Sequence, residues 1–306
     1  KYKWRYSFLL IFIIFWNSLE FPLFRNPTST VVITEKGELL SARIADDGQW
    51  RFPESDSVPK KFQIAIKYFE DEYFDYHLGV NPISFVRAIK QNINEGRIVS
   101  GASTLTMQTI RLSRKGQSRT FFEKFIEMIL STRLEMSKSK ESIMKLYTSH
   151  APFGGNVVGL DAASWRYYKR ASFQLSWGEI TTLAVLPNAP SLIYPGKNHK
   201  LLLEKRNKLL DKLLEHKEID SLTCELAKME PLPNSPHNLP QITPHLLNRL
   251  IKEGKKGQIC KVSIDKNIQE RIVRLVDQSH NHLQYNSIHN VSVLVIDVKN
   301  RNIVSY

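Results

Sequence analysis

The chain has 306 residues, of which 42% are hydrophobic and 24% are charged. This composition excludes a disordered chain and is typical of a globular protein with one large domain or two smaller ones. The formal net charge of +13 predicts anionic partners: nucleic acid, acidic lipid headgroups or phosphorylated substrates.

An apolar segment follows the basic N-terminus. Lys1, Lys3 and Arg5 precede the apolar run 8–16, which is shorter than the ~20 residues that a transmembrane helix needs. Because no small-residue cleavage site follows, the pattern favours a retained signal anchor over a removed signal peptide. Residues 1–24 therefore predict a single-pass anchor with a cytoplasmic N-terminus and the rest of the chain outside. The alternative is a buried core helix.

The next segments predict a small β element and then an amphipathic helix. Turn signals at Gly37 and Gly48 split the β-branched residues, which predicts two or three short strands within 25–54. A set of apolar residues then recurs at helical spacing: Phe62, Ala65, Ile66 and Phe69.

Three adjacent carboxylates end this predicted helix. Glu70 lies at the edge of the apolar face, Asp71 and Glu72 follow directly, and His77 lies a few residues further on. One interpretation is a solvated acidic helix end. The other is a cleft in which desolvation raises the pKa of Glu70 toward that of a useful base.

Helical spacing dominates from here to about residue 216. Two of the apolar stripes are Phe122, Phe125, Ile126 and Ile129, and Leu202, Leu209, Leu210, Leu213 and Leu214. Beyond them a proline-rich stretch predicts an extended linker, and 259–306 predicts a strand, an amphipathic helix and a hairpin-like pair. Since an isolated two-stranded pair is marginally stable, we expect this segment to begin a further domain.

A hydroxyl-rich turn begins at Gly101 and leads into a basic helix. Ser103 or Thr104 would cap this helix, which carries Gln108 and Arg111. Free N–H groups at a helix N-terminus, with hydroxyl groups beside them, bind phosphate well. The alternative is an ordinary capped helix with a basic outer face.

Two glutamates lie four residues apart on the next predicted helix. Glu123 and Glu127 share a helix face, and Lys124 follows Glu123 directly. Like charges at this spacing are slightly destabilising. The pair is tolerable on a solvated surface and useful around a metal ion or a base.

These three segments, in this order, resemble the motifs of glycosyltransferase family 51, the peptidoglycan glycosyltransferases of class A penicillin-binding proteins. The first motif, E-D-x-x-F-x-x-H-x-G, is matched in full from Glu70 to Gly79. The second, G-x-S-T-x-T-Q-Q, is matched at all but one position. The third, R-K-x-x-E, is matched at Lys124 and Glu127.

Two positions depart from these motifs. Met107 replaces the first Gln of the second motif, and Glu123 replaces the Arg of the third, which removes a cation from near the expected phosphate site. Residues 139–164 and 205–214 resemble the fourth and fifth regions of the family. The flanking segments look most like those of the penicillin-binding protein 1C subgroup.

The resemblance implies a mainly α protein with a lysozyme-like glycosyltransferase domain at 55–216. Around it we expect the anchor at 1–24, a small β element or linker at 25–54, a linker at 217–258, and the N-terminal fragment of an α/β transpeptidase domain at 259–306. No Lys-Thr-Gly or Lys-Ser-Gly motif accompanies the Ser-x-x-Lys matches, so we expect no transpeptidase active site in this chain and no acylation by β-lactams.

The resemblance also implies an inverting enzyme that polymerises lipid II into β(1→4) glycan strands and releases undecaprenyl pyrophosphate. Glu70 would be the general base, and Glu127 would stabilise the leaving pyrophosphate through a divalent cation, Mg²⁺ or Mn²⁺. The other expected substrate-binding residues are Asp71, His77, Ser103, Thr104, Gln108, Arg111 and Lys124. No organic cofactor is expected.

The expected partners are lipid II, the nascent glycan strand, the bacterial cytoplasmic membrane and cell-wall synthesis proteins, but not nucleic acid. One rival function is a lytic transglycosylase that cleaves glycan, and another is a non-catalytic, membrane-anchored assembly subunit. The departures at Met107 and Glu123 are the best support for the second rival. Glu123 also predicts a stronger dependence on Mg²⁺ or Mn²⁺ than in a relative with Arg at this position.

Overall fold

The structure is a computed structural model that describes residues 3–95, 103–115, 117 and 120–306. The backbone separates into two compact units. The first unit comprises Lys1–Asn26, Glu54–Gly155 and Ser176–Leu232, and the second comprises Pro27–Pro53, Asn156–Leu175 and Pro233–Tyr306.

Helices dominate the described residues, as the resemblance implied. The α-helices in chain order are α1 (Lys3–Trp16), α2 (Lys60–Glu70), α3 (Pro82–Glu95), α4 (Leu105–Ser113), α5 (Phe121–Glu135), α6 (Lys140–His150), α7 (Leu160–Tyr168), α8 (Trp177–Val185), α9 (His199–Glu215), α10 (Ser221–Met229), α11 (Pro244–Leu250) and α12 (Lys266–Leu283). The strands are β1 (Thr30–Thr34), β2 (Leu39–Arg43), β3 (Trp50–Arg51), β4 (Val157–Val158), β5 (Ile259–Val262), β6 (Val295–Ile296) and β7 (Ile303–Ser305). A short 3₁₀ turn at Leu186–Asn188 directly follows α8.

Hydroxyl side chains fix where three helices of the first unit begin. Thr104 accepts a hydrogen bond from the backbone N–H of Met107 and caps α4. Thr120 caps α5, and Ser139 caps α6, in the same way. Such a cap stabilises a helix by about 1 kcal/mol, because it satisfies an N–H group that has no partner within the helix. The cap predicted for the helix that carries Gln108 is therefore confirmed, with Thr104 as the capping residue.

The core of the first unit forms where α2 packs against α8 and α9. Phe62, Ala65 and Ile66 are fully buried there, in agreement with the apolar stripe read from the sequence. A second group of contacts packs α4 against α5 and α6. A hydrogen bond from Gln108 of α4 to Glu70 joins the two groups at the last residue of α2.

Helix α5 forms where the sequence predicts it, but its apolar stripe faces outward. Phe122 is 72% exposed, Phe125 57% and Ile129 38%. The opposite face of the helix is buried against α4 and α6, and it carries Glu127. The helical period therefore identifies the helix correctly but not its buried face, on which Leu134 is buried together with Glu127.

A three-stranded sheet organises the second unit, in the order β2-β1-β5. β1 pairs with β2 in antiparallel fashion and with β5 in parallel fashion. Two segments that the sequence places in different domains, 25–54 and 259–306, therefore share one sheet. The hairpin-like pair predicted near the end of the chain forms between β6 and β7.

The N-terminal helix α1 covers 14 residues, Lys3–Trp16. Across the residues that the structure describes, no helix is both long enough and apolar enough to cross a membrane. The anchor predicted for residues 1–24 stays a prediction.

Candidate active site

Glu70 is the last residue of α2 and carries a carboxylate that is only partly satisfied. Gln108 Nε2 donates a hydrogen bond to Glu70 Oε2 at 2.8 Å. Glu70 Oε1 is buried and accepts no hydrogen bond from any described residue. Burial raises the pKa of Glu70 above its ordinary value, while the side chains of Gln108 and Asn188 and the charge of Lys205 partly lower it. The arrangement fits a carboxylate that accepts a proton from a bound substrate.

Three residues outside the predicted site interact electrostatically with Glu70. Asn188, in the turn after α8, and Lys205, on α9, both lower the pKa of Glu70. The hydroxyl of Tyr147, on α6, is buried and bonded to no described residue, and burial together with the charge of Glu70 raises the Tyr147 pKa well above its ordinary value. Tyr147 and Lys205 lie in the segments that resemble the fourth and fifth regions of the family, and Asn188 lies in a flanking segment that resembles the 1C subgroup. The sequence therefore offered only a weak signal for all three.

The second glutamate, Glu127, is held by an arginine from α4. Arg111 donates to Glu127 through Nε and through Nη2, each at 2.7 Å, and Nη2 also reaches Ser103 Oγ at 3.2 Å. The Glu127 side chain is only 5% exposed, and its hydrogen bonds raise the pKa of Arg111. Because Gln108 and Arg111 lie three residues apart on α4, one helix face contacts both glutamates.

Glu123 lies one turn before Glu127 on α5 and is paired with an arginine in the same way. Arg114 Nε donates to Glu123 Oε1 at 2.6 Å, and Arg114 Nη2 donates to Oε2 at 3.1 Å. Lys124, the next residue on α5, is half-buried. The repulsion between Glu123 and Glu127 that the sequence suggests is therefore relieved by Arg111 of α4 and by Arg114, which directly follows this helix.

The donor set does not fit a resident divalent cation. The described ranges contain no group of three or more His, Cys, Asp or Glu side chains placed to hold a metal ion. Glu127 brings a single carboxylate, and both of its oxygens already accept from Arg111. The metal dependence expected from the sequence stays a prediction.

Asp71 and His77 are both predicted to bind substrate, and both are buried in contact with each other. His77 Nε2 lies 2.9 Å from Asp71 Oδ2, which also accepts from the backbone N–H of Leu105 at 3.0 Å. The backbone N–H of Gly79 donates to His77 Nδ1 at 3.2 Å, so Nδ1 accepts and Nε2 donates. These contacts fix the loop after α2 onto the first turn of α4, next to Gln108.

Gly79 allows this loop to approach α5 closely. Its φ of +88° is unfavourable for other residues, and a Cβ atom there would lie 2.6 Å from the backbone carbon of Ser131. The hydroxyl of Thr104 donates to the carbonyl of Gly79 at 2.6 Å, so Thr104 is occupied by structural contacts and is buried. Gly101, predicted to form the turn before Thr104, lies outside the described residues.

The stretch of chain that carries Glu70, Arg111 and Glu127 matches a known protein family. Residues 36–214 match the family model described as Transglycosylase. The chain belongs to this family, so the resemblance read from its motifs is confirmed.

Individual relatives point the same way. Penicillin-binding protein 1C of Escherichia coli (strain K12) is 33% identical over 94% of this chain and 37% of its own length. Biosynthetic peptidoglycan transglycosylase of Haemophilus influenzae (strain PittEE) is 30% identical over 68% of this chain and 88% of its own length. A crystal structure of penicillin-binding protein 1A from Haemophilus influenzae aligns with 80% of this chain and 28% of that chain, with a TM-score of 0.40 and 16% identity, too low to decide the fold. The chain thus spans well under half the length of the first of these relatives.

Proposed function

We propose that this chain is a peptidoglycan glycosyltransferase that polymerises lipid II into β(1→4) glycan strands. The observation that carries the proposal is Glu70, whose carboxylate is buried at the end of α2 with one oxygen bonded to Gln108 and the other bonded to no described residue. The family membership and the name of the transglycosylase relative support the choice of reaction. Inverting glycosyl transfer requires a base positioned in this way.

In the proposed step, Glu70 Oε1 takes the proton of the 4-hydroxyl group of the acceptor GlcNAc. The acceptor oxygen then forms a bond to the anomeric carbon of the donor MurNAc from the face opposite the leaving group. The bond between that carbon and the pyrophosphate oxygen breaks, and undecaprenyl pyrophosphate leaves with the electron pair. The raised pKa of Glu70 makes its carboxylate a stronger proton acceptor than a solvated one.

The negative charge that develops on the leaving pyrophosphate needs cations nearby. Arg111 is oriented by its two hydrogen bonds to Glu127, and Ser103 lies against the same guanidinium. We assign Arg111 and Lys124 to the pyrophosphate, since a guanidinium held in place loses little entropy when it binds phosphate. Glu127 then acts as a positioning residue for Arg111.

The remaining predicted binding residues take a positioning role in this proposal. Asp71 and His77 bond to each other and to the backbone around α4, and Thr104 bonds to the loop and caps the helix. These contacts join the loop after α2 to α4 and so fix the position of Glu70 relative to Gln108. Substitution of Asp71 is therefore expected to disturb the geometry of the base and not the affinity for the substrate alone.

We also propose that the chain acts at the outer face of the cytoplasmic membrane, where lipid II is presented. Apolar side chains exposed in the first unit support this, including Phe121 at 93%, Phe122 at 72% and Ile11 at 64%. The net charge of +13 favours contact with anionic headgroups and with the pyrophosphate of the substrate. The expected protein partners, other cell-wall synthesis proteins, belong to the same proposal.

The test is polymerisation of labelled lipid II by the purified chain in detergent, with products separated on a gel. The proposal expects a ladder of glycan strands that lengthens with time. A parallel reaction receives pre-formed glycan strands, and shortening of these strands would show the lytic rival to be right. Retained binding of lipid II with no product from either substrate would favour the non-catalytic assembly subunit.

A further inference from the structure

Two charged residues at the corner between α5 and α6 lie where the helices themselves disfavour them. Glu135 is the last residue of α5, and Lys140 is the first residue of α6. A helix carries partial negative charge at its C-terminus and partial positive charge at its N-terminus, so each residue is repelled by its own helix end. The Glu135 side chain is also buried, with 3% of it exposed. Contacts with other parts of the chain are therefore needed to explain these two charges.

Glu135 joins the corner to α4, the helix that carries Gln108 and Arg111. Its Oε1 atom accepts from Lys140 Nζ at 2.7 Å and from Thr106 Oγ1 at 2.6 Å. Thr106 is fully buried in the first turn of α4, two residues before Gln108. The carboxylate thereby fixes the start of α4 relative to the corner.

Lys140 joins the same corner to the loop after α2. Its ammonium group donates to the carbonyl oxygen of His77 at 2.6 Å and lies 4.5 Å from the centre of the Phe74 ring. Phe74 is buried and belongs to the same loop, so a hydrogen bond and a cation–π interaction both bind the loop to Lys140. This loop begins directly after Glu70.

These contacts complete a closed ring of hydrogen bonds beside the proposed base. His77 Nε2 bonds to Asp71 Oδ2, and the same oxygen accepts from the backbone N–H of Leu105. The ring therefore runs through Asp71, Leu105, Thr106, Glu135, Lys140 and His77 and back to Asp71. A closed ring restrains its members because the movement of one strains the bonds on both sides of it. It links the two segments that meet in the hydrogen bond from Gln108 to Glu70.

We propose that Glu135 and Lys140 are positioning residues that hold the loop after α2 against α4, and with it the Glu70 carboxylate against Gln108. The inference rests on the proposed role of Glu70 as general base. A misplacement of about 1 Å can cost a reaction on the order of 10²-fold in rate. A restraint on the segments that carry the base and its hydrogen-bond donor therefore acts directly on the chemical step.

The proposal predicts a particular kinetic signature. The pyrophosphate is assigned to Arg111 and Lys124, and neither residue is a member of the ring. Loss of a ring bond should therefore misplace the base and lower kcat, while the KM for lipid II changes little. A purely structural role would instead lower the fraction of folded protein, and the molecules that stay folded would keep the wild-type kcat.

The first experiment measures kcat and KM for lipid II in the full chain and its variants, with rates expressed per folded molecule. Thr106→Val removes one hydroxyl group and leaves Lys140 paired with Glu135, so it should fold and lower kcat several-fold. Lys140→Met should lower kcat by about 10-fold or more. The matched control is Lys145→Met. Lys145 lies on the same helix, pairs with Glu141 at 2.8 Å and is 28% exposed, against 25% for Lys140, and its loss should change neither constant.

A double variant separates the restraint from the cost of an unpaired charge. Lys140→Met leaves the Glu135 carboxylate buried without its cation, which destabilises the fold. Glu135→Leu combined with Lys140→Met removes both charges and should recover thermal stability but not kcat. Lys140→Arg can donate to Glu135 and to the His77 carbonyl together, so it should recover most of kcat. Wild-type kcat in the double variant or in Thr106→Val would overturn the proposal, and Thr106→Val keeps the test open if the other variants fail to fold.

The second experiment does not depend on activity. Hydrogen exchange of two backbone amides is followed by NMR: that of Leu105, which donates to Asp71, and that of Gly79, which donates to the His77 ring. Both should exchange faster in Lys140→Met and at the wild-type rate in Lys145→Met.

The amide of Ile180, buried in α8, reports opening of the core and serves as the reference. If the amides of Leu105 and Gly79 gain no more exchange than that of Ile180, the inference is overturned whatever the activity. A selective gain in a protein that makes no glycan from lipid II upholds the restraint, and the proposed function fails alone.

Discussion

The two glutamates of the site are buried in opposite surroundings, and the difference assigns their roles. Glu70 has one hydrogen bond from a neutral amide and one oxygen without a described partner. Glu127 has both oxygens bonded to a guanidinium. A base needs an available lone pair and a raised proton affinity, whereas a carboxylate that orients a cation needs neither. One helix, α4, supplies both environments from Gln108 and Arg111.

The largest expected effect comes from removing the available carboxylate. Glu70→Gln keeps the shape of the side chain but cannot take a proton, so polymerisation of lipid II should fall by about 10²–10⁴-fold. The matched control is Glu72→Gln, since Glu72 pairs with Lys212 near the surface and should affect the rate little. If Glu70→Gln turned over lipid II at close to the wild-type rate, another group would be the base, and the role assigned to Glu70 would be wrong.

A second expected effect comes from removing the cation that holds Glu127. Arg111→Met leaves a buried carboxylate without its bidentate partner, which should cost about 1–3 kcal/mol of unfolding free energy as well as activity. Arg111→Lys should recover part of the stability but less of the rate, because an ammonium lacks the planar fork. Chemical denaturation and the lipid II assay measure the two quantities. Arg25→Met, in an exposed pair with Glu20, serves as the control and should cost about 0–1 kcal/mol.

Replacing Glu70 and replacing Glu127 should change the stability of the fold in opposite directions. Because burial raises the pKa of Glu70, its proton stabilises the fold at acidic pH, and that contribution is lost as pH rises through the raised pKa. Glu70→Gln should therefore raise the unfolding temperature at neutral pH, and the gain should disappear in acid. Glu127→Gln should instead lower stability by about 1–2 kcal/mol, allowing for solvent around Arg111. The unfolding temperatures of both variants, measured against pH, test this expectation. If both variants shift the unfolding temperature in the same direction at neutral pH, the two glutamates do not have the opposite surroundings described above.

Local patterns in the sequence predicted more of the fold than of the site. The stripe that includes Phe62 and Ile66 predicted α2 and its buried face. The stripe on α5 predicted the helix but not its orientation, because the face with Phe122 is exposed and the face with Glu127 is buried. Spacing reports that a helix is amphipathic, and the partner helix decides which face it covers.

Within the site, the sequence located the groups that lie on matched motifs and missed those brought in by packing. Glu70 and Gln108 are 38 positions apart in the sequence, and both were predicted to belong to one site. In the structure they are joined by a hydrogen bond. Asn188 and Lys205 come from later parts of the chain, directly after α8 and on α9, and both of these helices pack on α2. The pairing of Glu123 with Arg114 was also missed, because it depends on how α4 and α5 pack and not on the spacing within either segment.

The smallest expected effect concerns that replaced arginine. From the sequence, Glu123 beside Glu127 predicts a site that depends strongly on Mg²⁺ or Mn²⁺, a dependence that Glu123→Arg would reduce. In the structure, Arg114 Nε lies 2.6 Å from Glu123 Oε1. The protein itself therefore supplies the positive charge that a metal ion would bring to this carboxylate. We therefore expect Glu123→Arg to change the metal response only slightly, and Glu123→Gln to behave in the same way. Titration of Mg²⁺ and Mn²⁺ in the lipid II assay compares the three proteins. If the wild-type protein needs more metal than Glu123→Arg for the same activity, Arg114 does not replace the cation. The stronger dependence on Mg²⁺ or Mn²⁺ that the sequence predicts would then be right.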